Sequence, residues 1–182
     1  MVEKAVTLKP GREKSVLARH PWIFGSAIEK VEGEPLNGEV VTVRDHFKEE
    51  ICQAAYSQQS QIKCRIWTWD PAEKVGAEFL RNRITASIDR RKHLSSTEKT
   101  NALRLIFGEA DGLPGLVVDQ YDQVLVMQIL SAGAEYFKDE IVAILVDLLK
   151  PTAIYERSDV EVRILEGLPE RCGIVYGEAA SN

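Results

Sequence analysis

The chain has 182 residues, enough for one medium-sized domain or two small ones. Charged residues make up 28% of it and no apolar run reaches the roughly 20 residues that span a bilayer, which excludes a membrane-spanning protein. The first residues contain no apolar signal-peptide core, so we expect a cytoplasmic protein.

The net charge of −5 is unevenly distributed. Residues 1–94 carry 16 Lys and Arg against 13 Asp and Glu, whereas residues 95–182 carry 7 against 15. A phosphate backbone responds to the local field, so the first half is a candidate for binding nucleic acid. Two basic clusters, each also consistent with a plain solvated surface, are Lys4, Lys9, Arg12, Lys14, Arg19 and His20, and Arg81, Arg83, Arg90, Arg91, Lys92, His93 and Lys99.

Residues 1–70 alternate between short apolar segments and turns. The patterns predict strands at 5–8, 40–44 and 62–67 and a short helix at 13–19. Because so short a segment cannot cover two sheets, this spacing favours a small β-barrel over a sandwich. Pro71 ends the region, and a helix is predicted at 73–99, where Leu80, Ile84 and Ile88 form one apolar stripe and leave a basic face.

The second half follows an α/β pattern. Strands are predicted at 102–107, 116–118, 124–130, 153–156 and 173–177, with one helix at 134–150. The nearly continuous apolar run at 124–130 predicts a strand covered on both faces. The glycine-rich stretch GEADGLPG, at 108–115, is interpreted as a hairpin or loop and not as a phosphate cradle, because a strand and not a helix follows it.

No nucleotide-binding or metalloprotease motif occurs in the sequence. Acidic residues of the second half, including Glu109, Asp111 and Glu166, allow acid–base chemistry, but nearby arginines make a salt-bridge network the favoured reading. The three cysteines form no CxxC pair and have no His at metal spacing, so we expect no metal site and buried thiols.

Two segments are hard to explain as core alone. LKPGREKSVLARHPWIF joins cations to Trp22 and His20, which would stack on an unpaired base, unless Trp22 and Phe24 belong to the barrel core. YERSDVEVRILEGLP, at 155–169, alternates polar and apolar residues densely, as expected of a rim or an interface.

These stretches also carry a resemblance. The two segments resemble parts of a family of bacterial and archaeal methyltransferases, and so do SQIKCRIWTWD, EFLRNRITASIDRRKHL and NALRLIFGEADGLPGLVVDQY. The five stretches occur in the same order as in the family, and the resemblance extends from about residue 6 to 177. Its members are class I S-adenosylmethionine (SAM)-dependent enzymes that form 5-methylcytosine in large-subunit ribosomal RNA. Where members commonly have glycines, this chain has Cys52, Gln53 and Ala54 or Ala55, which puts an expected local turn in doubt.

The resemblance implies an α+β protein. Residues 1–70 would form a PUA domain, a small β pseudo-barrel that binds structured RNA. Residues 71–100 would form a linking helix, and residues 101–182 a small central α/β domain of strands, helix and strands. In the family a Rossmann-like domain with the SAM pocket and the catalytic cysteine follows. It is expected to be absent from this chain, a truncation that leaves no catalytic residue, no cofactor and no activity alone.

The expected partners are ribosomal RNA and either the missing methyltransferase domain or a second copy of the chain. The expected RNA contacts are Lys9, Arg12, Lys14, Arg19, His20, Trp22, Arg65, Arg90 and Arg91. The expected substrate-cleft or domain-docking residues are Arg104, Glu109, Asp111, Arg157, Asp159 and Arg163. A stand-alone RNA-binding and protein-interaction module is the alternative function, and a small hydrolase that uses the acidic cluster is a third.

Overall fold

The structure, a computed structural model, describes residues 3–97 and 100–178, without the side chains of 93–97. Lys99, predicted to belong to the second basic cluster, lies outside the described residues, and so does the side chain of His93. None of the described helices is both long and apolar enough to cross a membrane.

The first half folds into a six-stranded sheet with one short helix. Its elements are β1 (Ala5–Leu8), α1 (Glu13–Leu17), β2 (Trp22–Phe24), β3 (Ile28–Glu32), β4 (Val40–Arg44), β5 (Glu50–Tyr56) and β6 (Ile62–Thr68). The strand order is β2-β6-β5-β4-β1-β3, in which only β1 and β4 pair in parallel. The outer strands β2 and β3 are not hydrogen-bonded neighbours among these strands, so the sheet is an open half-barrel, in agreement with the predicted β-rich first half.

The core of the half-barrel comes from one face of alternating strands. Val41 and Val43 of β4 are buried as their spacing predicted. Cys52 and Cys64 are buried beside them, which confirms two of the three cysteines as core residues. Burial disfavours the thiolate and raises the pKa of Cys52 to about 12, and it raises that of Cys64 as well. Cys172 is exposed, contrary to the expectation.

The doubtful turn near residue 52 is not a turn. Residues 52–55 lie within β5, and none of them adopts a positive φ. Small residues serve a different purpose here. Ala55 packs so closely against Gly133 that a Cβ on that glycine would lie 2.4 Å from the Ala55 Cβ. Close approach to the second half, and not turn geometry, therefore favours a small side chain at this position.

The second half forms a five-stranded sheet with helices α2 and α4 packed together and on its core side. Its elements are α2 (Ala77–Thr97), β7 (Ala102–Phe107), β8 (Leu116–Tyr121), β9 (Val124–Ile129), α3 (Ala132–Tyr136), α4 (Lys138–Leu149), β10 (Ala153–Ser158), α5 (Val162–Leu165) and β11 (Arg171–Gly177). The order is β11-β10-β9-β8-β7, and only β9 and β10 are parallel. The stretch at 108–115 connects antiparallel β7 and β8, which confirms the predicted hairpin or loop.

Two predictions for this half need correction, and one helix was missed. β9 is fully buried on one face only, because Leu125, Met127 and Ile129 alternate with half-buried residues. The predicted helix at 134–150 is two helices that divide at Phe137, and it begins earlier because the Ser131 hydroxyl caps it by accepting the Ala134 N–H. Helix α5 was not predicted. By contrast, the stripe of α2 is buried as predicted.

Each half has its own apolar core, and Ala55 and Trp67 of the first half belong to the core of the second. Trp67 of β6 is buried, and its ring meets Phe79 of α2 and Phe137 edge to face, with centroids 6.2 and 6.0 Å apart. Both phenylalanines belong to the second half, so the side chain of Trp67 completes a core that its own half-barrel does not supply.

Candidate functional site

The segment around α1 presents a run of exposed cations. Pro10 and Gly11 turn the chain after β1, with Gly11 at a φ of 78°, and α1 then makes little more than one turn. Val16 anchors α1 in the core, and its carbonyl accepts the indole N–H of Trp69 at 2.9 Å. The exposed basic side chains and the exposed imidazole on this segment are Lys9, Arg12, Lys14, Arg19 and His20.

These cations are weakly engaged within the protein. Over residues 3–97 and 100–178, no ion pair involves Lys9, Arg12, Lys14 or Arg19. The Lys9 ammonium donates to the Ser26 carbonyl at 3.0 Å, and the Arg19 guanidinium lies 5.3 Å from the centre of the Trp69 ring. The charge of this segment is therefore available to an external anion.

Trp22 is half-buried at the junction of the two halves. Its indole N–H donates to the Glu109 carboxylate at 2.8 Å, and the Arg65 guanidinium lies 5.4 Å from its ring centre. His20 approaches the ring edge to face at 5.9 Å. The neighbouring Phe24 is 45% exposed, so the alternative that places Phe24 in the barrel core is wrong. In β2 it is Ile23 that is buried.

Arg65 joins the two halves electrostatically. Its two terminal nitrogens donate to Glu109 at 3.1 Å and to Glu166 at 3.0 Å. The side chain of Glu166 is only 2% exposed, and its second carboxylate oxygen accepts the Ala132 N–H at 3.2 Å. We call Trp22, Arg65, Glu109 and Glu166 the Arg65 cluster. With 11% of its own side chain exposed, Arg65 offers little surface to RNA.

Arg90 and Arg91 hold a buried carboxylate. Arg91 donates to both oxygens of Asp111, at 3.0 and 2.8 Å, and Arg90 donates to one at 2.7 Å. The Phe107 N–H adds a bond of 2.7 Å. Burial alone would raise the pKa of Asp111, but these hydrogen bonds and the arginine charges lower it overall. Arg91 is thereby committed to fixing α2 against the β7–β8 connection, whereas Arg90 remains half exposed.

The six predicted cleft residues do not meet in one site. Arg104 makes a bidentate pair with Asp119 on the exposed face, and Arg157 lies 3.7 Å from Asp159 near the end of β10. Arg163 is fully buried and donates to the carbonyls of Ile129 and Pro169 and to the Glu135 carboxylate. Glu109 and Asp111, near in sequence, belong to different networks. The favoured reading, a salt-bridge network, is the one that the structure shows for these arginines.

Between the halves lies a pocket that the sequence did not indicate. It has a volume of about 530 Å³ and lies between the loop after β5, β6 and α5. Phe24, Gln59 and Gln61 line one side, and Ile164, Leu165 and Glu166 the other. The segment at 155–169, predicted to be a rim or an interface, supplies one wall of the pocket. The pocket itself could not be predicted, because its opposing walls are about a hundred residues apart in the chain.

Metal-binding geometry does not occur in the described part of the chain: no three His, Cys, Asp or Glu side chains there are placed to hold an ion.

Comparison with known proteins gives a consistent picture. Residues 6–69 match the family model of a PUA-like domain. The chain is 43% identical over 173 residues to ribosomal RNA large subunit methyltransferase I of Shewanella amazonensis. The alignment covers 95% of this chain and 44% of that protein. It is 45% identical over 174 residues to the protein of the same name from Aeromonas hydrophila, and that alignment covers 96% of this chain and 44% of that protein.

Solved structures share the fold. One from Streptococcus mutans, assigned as a SAM-dependent methyltransferase, aligns with a TM-score of 0.77 at 17% identity and covers 97% of this chain and 44% of that one. A second, described as a methyltransferase and complexed with SAH, aligns with the same TM-score at 18% identity and covers 99% of this chain and 44% of that one. The chain therefore spans less than half the length of the methyltransferases that it matches.

Proposed function

We propose that this chain is the RNA-binding portion of an rRNA methyltransferase of the 5-methylcytosine-forming family. In this role it binds ribosomal RNA and positions it for the catalytic domain of the family. The similarity to ribosomal RNA large subunit methyltransferase I along 95% of the chain supports the family, and the PUA-like match at 6–69 supports RNA as the ligand.

The observation that carries the proposal is the run of cations around α1. Lys9, Arg12, Lys14 and Arg19 are exposed on one segment and make no ion pair within the described ranges, although acidic residues outnumber basic ones in the chain. Arg90, Arg91 and Arg65 were predicted to contact RNA as well, but they hold carboxylates of the protein. We therefore assign the primary phosphate contacts to the α1 segment and minor ones to the half-exposed Arg90.

SAM, the cofactor that the family implies, does not fit the described residues. A SAM cradle needs free backbone N–H groups at a glycine-rich turn from a strand into a helix. The turn from β9 into α3 is the nearest equivalent, but Glu166 accepts the Ala132 N–H and Ser131 accepts that of Ala134. Gly133 is packed against Ala55 and Trp67. We expect no SAM binding by this chain, and a micromolar dissociation constant from isothermal titration would contradict that.

Salt-dependent binding of ribosomal RNA fragments tests the proposal. Each Lys or Arg that contacts a phosphate releases about 0.7 to 0.9 counterions, so four contacts should weaken binding at least tenfold between about 50 and 200 mM salt. The double variant Arg12→Gln/Lys14→Gln should lower the slope of log affinity against log salt by roughly 1.4 to 1.8.

The matched control removes two exposed charges elsewhere, through Lys30→Gln/Arg157→Gln, at residues whose side chains are 64% and 66% exposed. It should leave the slope unchanged. Affinity that is indifferent to salt, or an equal effect of both double variants, would contradict RNA binding through α1.

A further inference from the structure

We propose that the pocket between the two halves binds one unstacked nucleobase of single-stranded RNA, an inference that rests on the proposed RNA-binding function. Its volume of about 530 Å³ lies within the range of roughly 300 to 1,000 Å³ that is typical of small-ligand sites. The pocket lies beside the Arg65 cluster, because Arg65 and Glu166 line it.

The walls of the pocket suit a flat aromatic ligand. Phe24 of β2 is 45% exposed on one side, and Ile164 and Leu165 of α5 are 61% and 68% exposed on the other. Large apolar side chains that converge on a concavity mark a binding site more often than the same residues scattered over a surface. Bases pulled out of a stack pack on aromatic and aliphatic side chains in this manner.

Two amide side chains provide groups for the edge of a base. Gln59 and Gln61 are exposed in the loop between β5 and β6, and neither side chain has a hydrogen-bond partner among the described residues. Gln59 rests against Gly167, where a Cβ would lie 2.6 Å from its Cδ. The glycine thus leaves the space that the amide occupies. An amide both donates and accepts, which matches the Watson–Crick edge of every base, where donors and acceptors occur together.

The charge around the pocket favours an anionic chain over a protein segment. A neighbouring cavity shares Phe24, Gln59 and Gln61 with it and adds Ser26 and Lys63. The stem of Lys63 lies over Gly25, and the Lys9 ammonium is bonded to the Ser26 carbonyl at 3.0 Å. Two ammonium groups therefore flank this side of the pocket, next to the α1 cations. Arg65 and the Ala132 N–H offset the charge of the Glu166 carboxylate below.

Comparing an RNA with a chain that lacks the bases distinguishes binding of a base in the pocket from binding of the phosphates. The probes are a single-stranded RNA of about ten nucleotides that contains all four bases, a length within typical single-strand site sizes, and the abasic ribose-phosphate chain of equal length. Phe24→Ala should weaken binding of the RNA by about five-fold to a hundred-fold, the contribution of one aromatic–base contact, and leave binding of the abasic chain unchanged. Leu165→Ser should act in the same direction through the opposite wall.

Phe47→Ala is the matched control, because Phe47 is 73% exposed in the turn between β4 and β5 and does not line the pocket. It should have no effect on either probe. Equal losses for RNA and abasic chain, or Phe24→Ala and Leu165→Ser variants that bind RNA like wild type, would overturn the base pocket while leaving the proposed function intact. Wild-type protein that binds ribosomal RNA fragments but neither probe would overturn the base pocket alone, whereas wild-type protein that also fails to bind those fragments would overturn the proposed function.

Discussion

Arg65→Met is the substitution with the sharpest consequence for stability. Methionine preserves much of the length and apolar stem of the side chain but removes the guanidinium that bonds Glu109 and Glu166. Glu109 is 29% exposed and can be rehydrated by water. Glu166 cannot, because only 2% of its side chain is exposed. The variant therefore leaves one buried carboxylate without its cation.

The expected loss follows from that carboxylate. Removing one partner of a buried ion pair costs about 3 to 5 kcal/mol. The Ala132 N–H continues to bond the second oxygen of Glu166, so we expect a loss near the lower limit, about 3 kcal/mol. In a chain of this size, that corresponds to a fall in Tm of roughly 6 to 12 °C.

The loss of stability can be measured by urea and thermal unfolding of four proteins: wild type, Arg65→Met, Glu166→Gln and the double variant. Neutralising Glu166 removes the unpaired charge, so the two substitutions should couple by about 2 kcal/mol. Arg104→Met is the control, because it also removes two hydrogen bonds from a guanidinium to carboxylate oxygens, but from an arginine that is 50% exposed, and it should cost less than about 1 kcal/mol. Additive losses, or an Arg65→Met variant no less stable than Arg104→Met, would refute this reasoning.

Three further outcomes are expected. Asp111→Asn should destabilise the protein by about 2 kcal/mol at neutral pH, because charged hydrogen bonds are lost. The pKa of Asp111 is lowered in the folded protein, so its charge stabilises the fold above the ordinary aspartate pKa. That stabilisation is lost as the pH falls through the lowered pKa. The free energies of unfolding of variant and wild type, measured with urea, should therefore converge in acid. Gly133→Ala should lower the free energy of unfolding by about 1 to 3 kcal/mol, because its new Cβ clashes with Ala55. Gly76→Ala, with open space around the glycine, should not destabilise the protein. Equal melting temperatures of the two variants would contradict this. Only Cys172 should react with a thiol reagent near neutral pH until the protein is unfolded, and rapid labelling of a second cysteine would contradict the buried positions.

Elements with strong periodicity were predictable from the sequence. The spacing of Val41 and Val43, or of Leu80 and Ile84, identifies a strand or helix face without any tertiary information, and these side chains are buried accordingly. Strand β3 was missed because three of its five residues are exposed and its sequence, IEKVE, has no two-residue alternation. β5 was missed because the alanines at its centre have no strand preference of their own.

Of the candidate site, the sequence predicted which side chains are exposed but not which of them are paired. The cations around α1 are exposed, as a dense run of Lys and Arg indicates. The sequence did not indicate that Arg65 would meet Glu109 and Glu166, which are 44 and 101 residues away. Residue type alone cannot distinguish an arginine that pairs internally from one that remains free, because the partner is fixed by the packing of the two sheets.

The position of Trp67 bears on how such a chain can be recombined. Sequence patterns suggest a natural boundary at Pro71, where an RNA-binding cassette could be cut out and joined to other enzymes. A cut there would leave an indole ring that packs on Phe79 and Phe137 facing water, a large apolar surface that promotes aggregation. Exchange of the cassette between lineages therefore requires a recipient that already carries aromatic partners at both places. The two halves are expected to be inherited together, as one evolutionary unit.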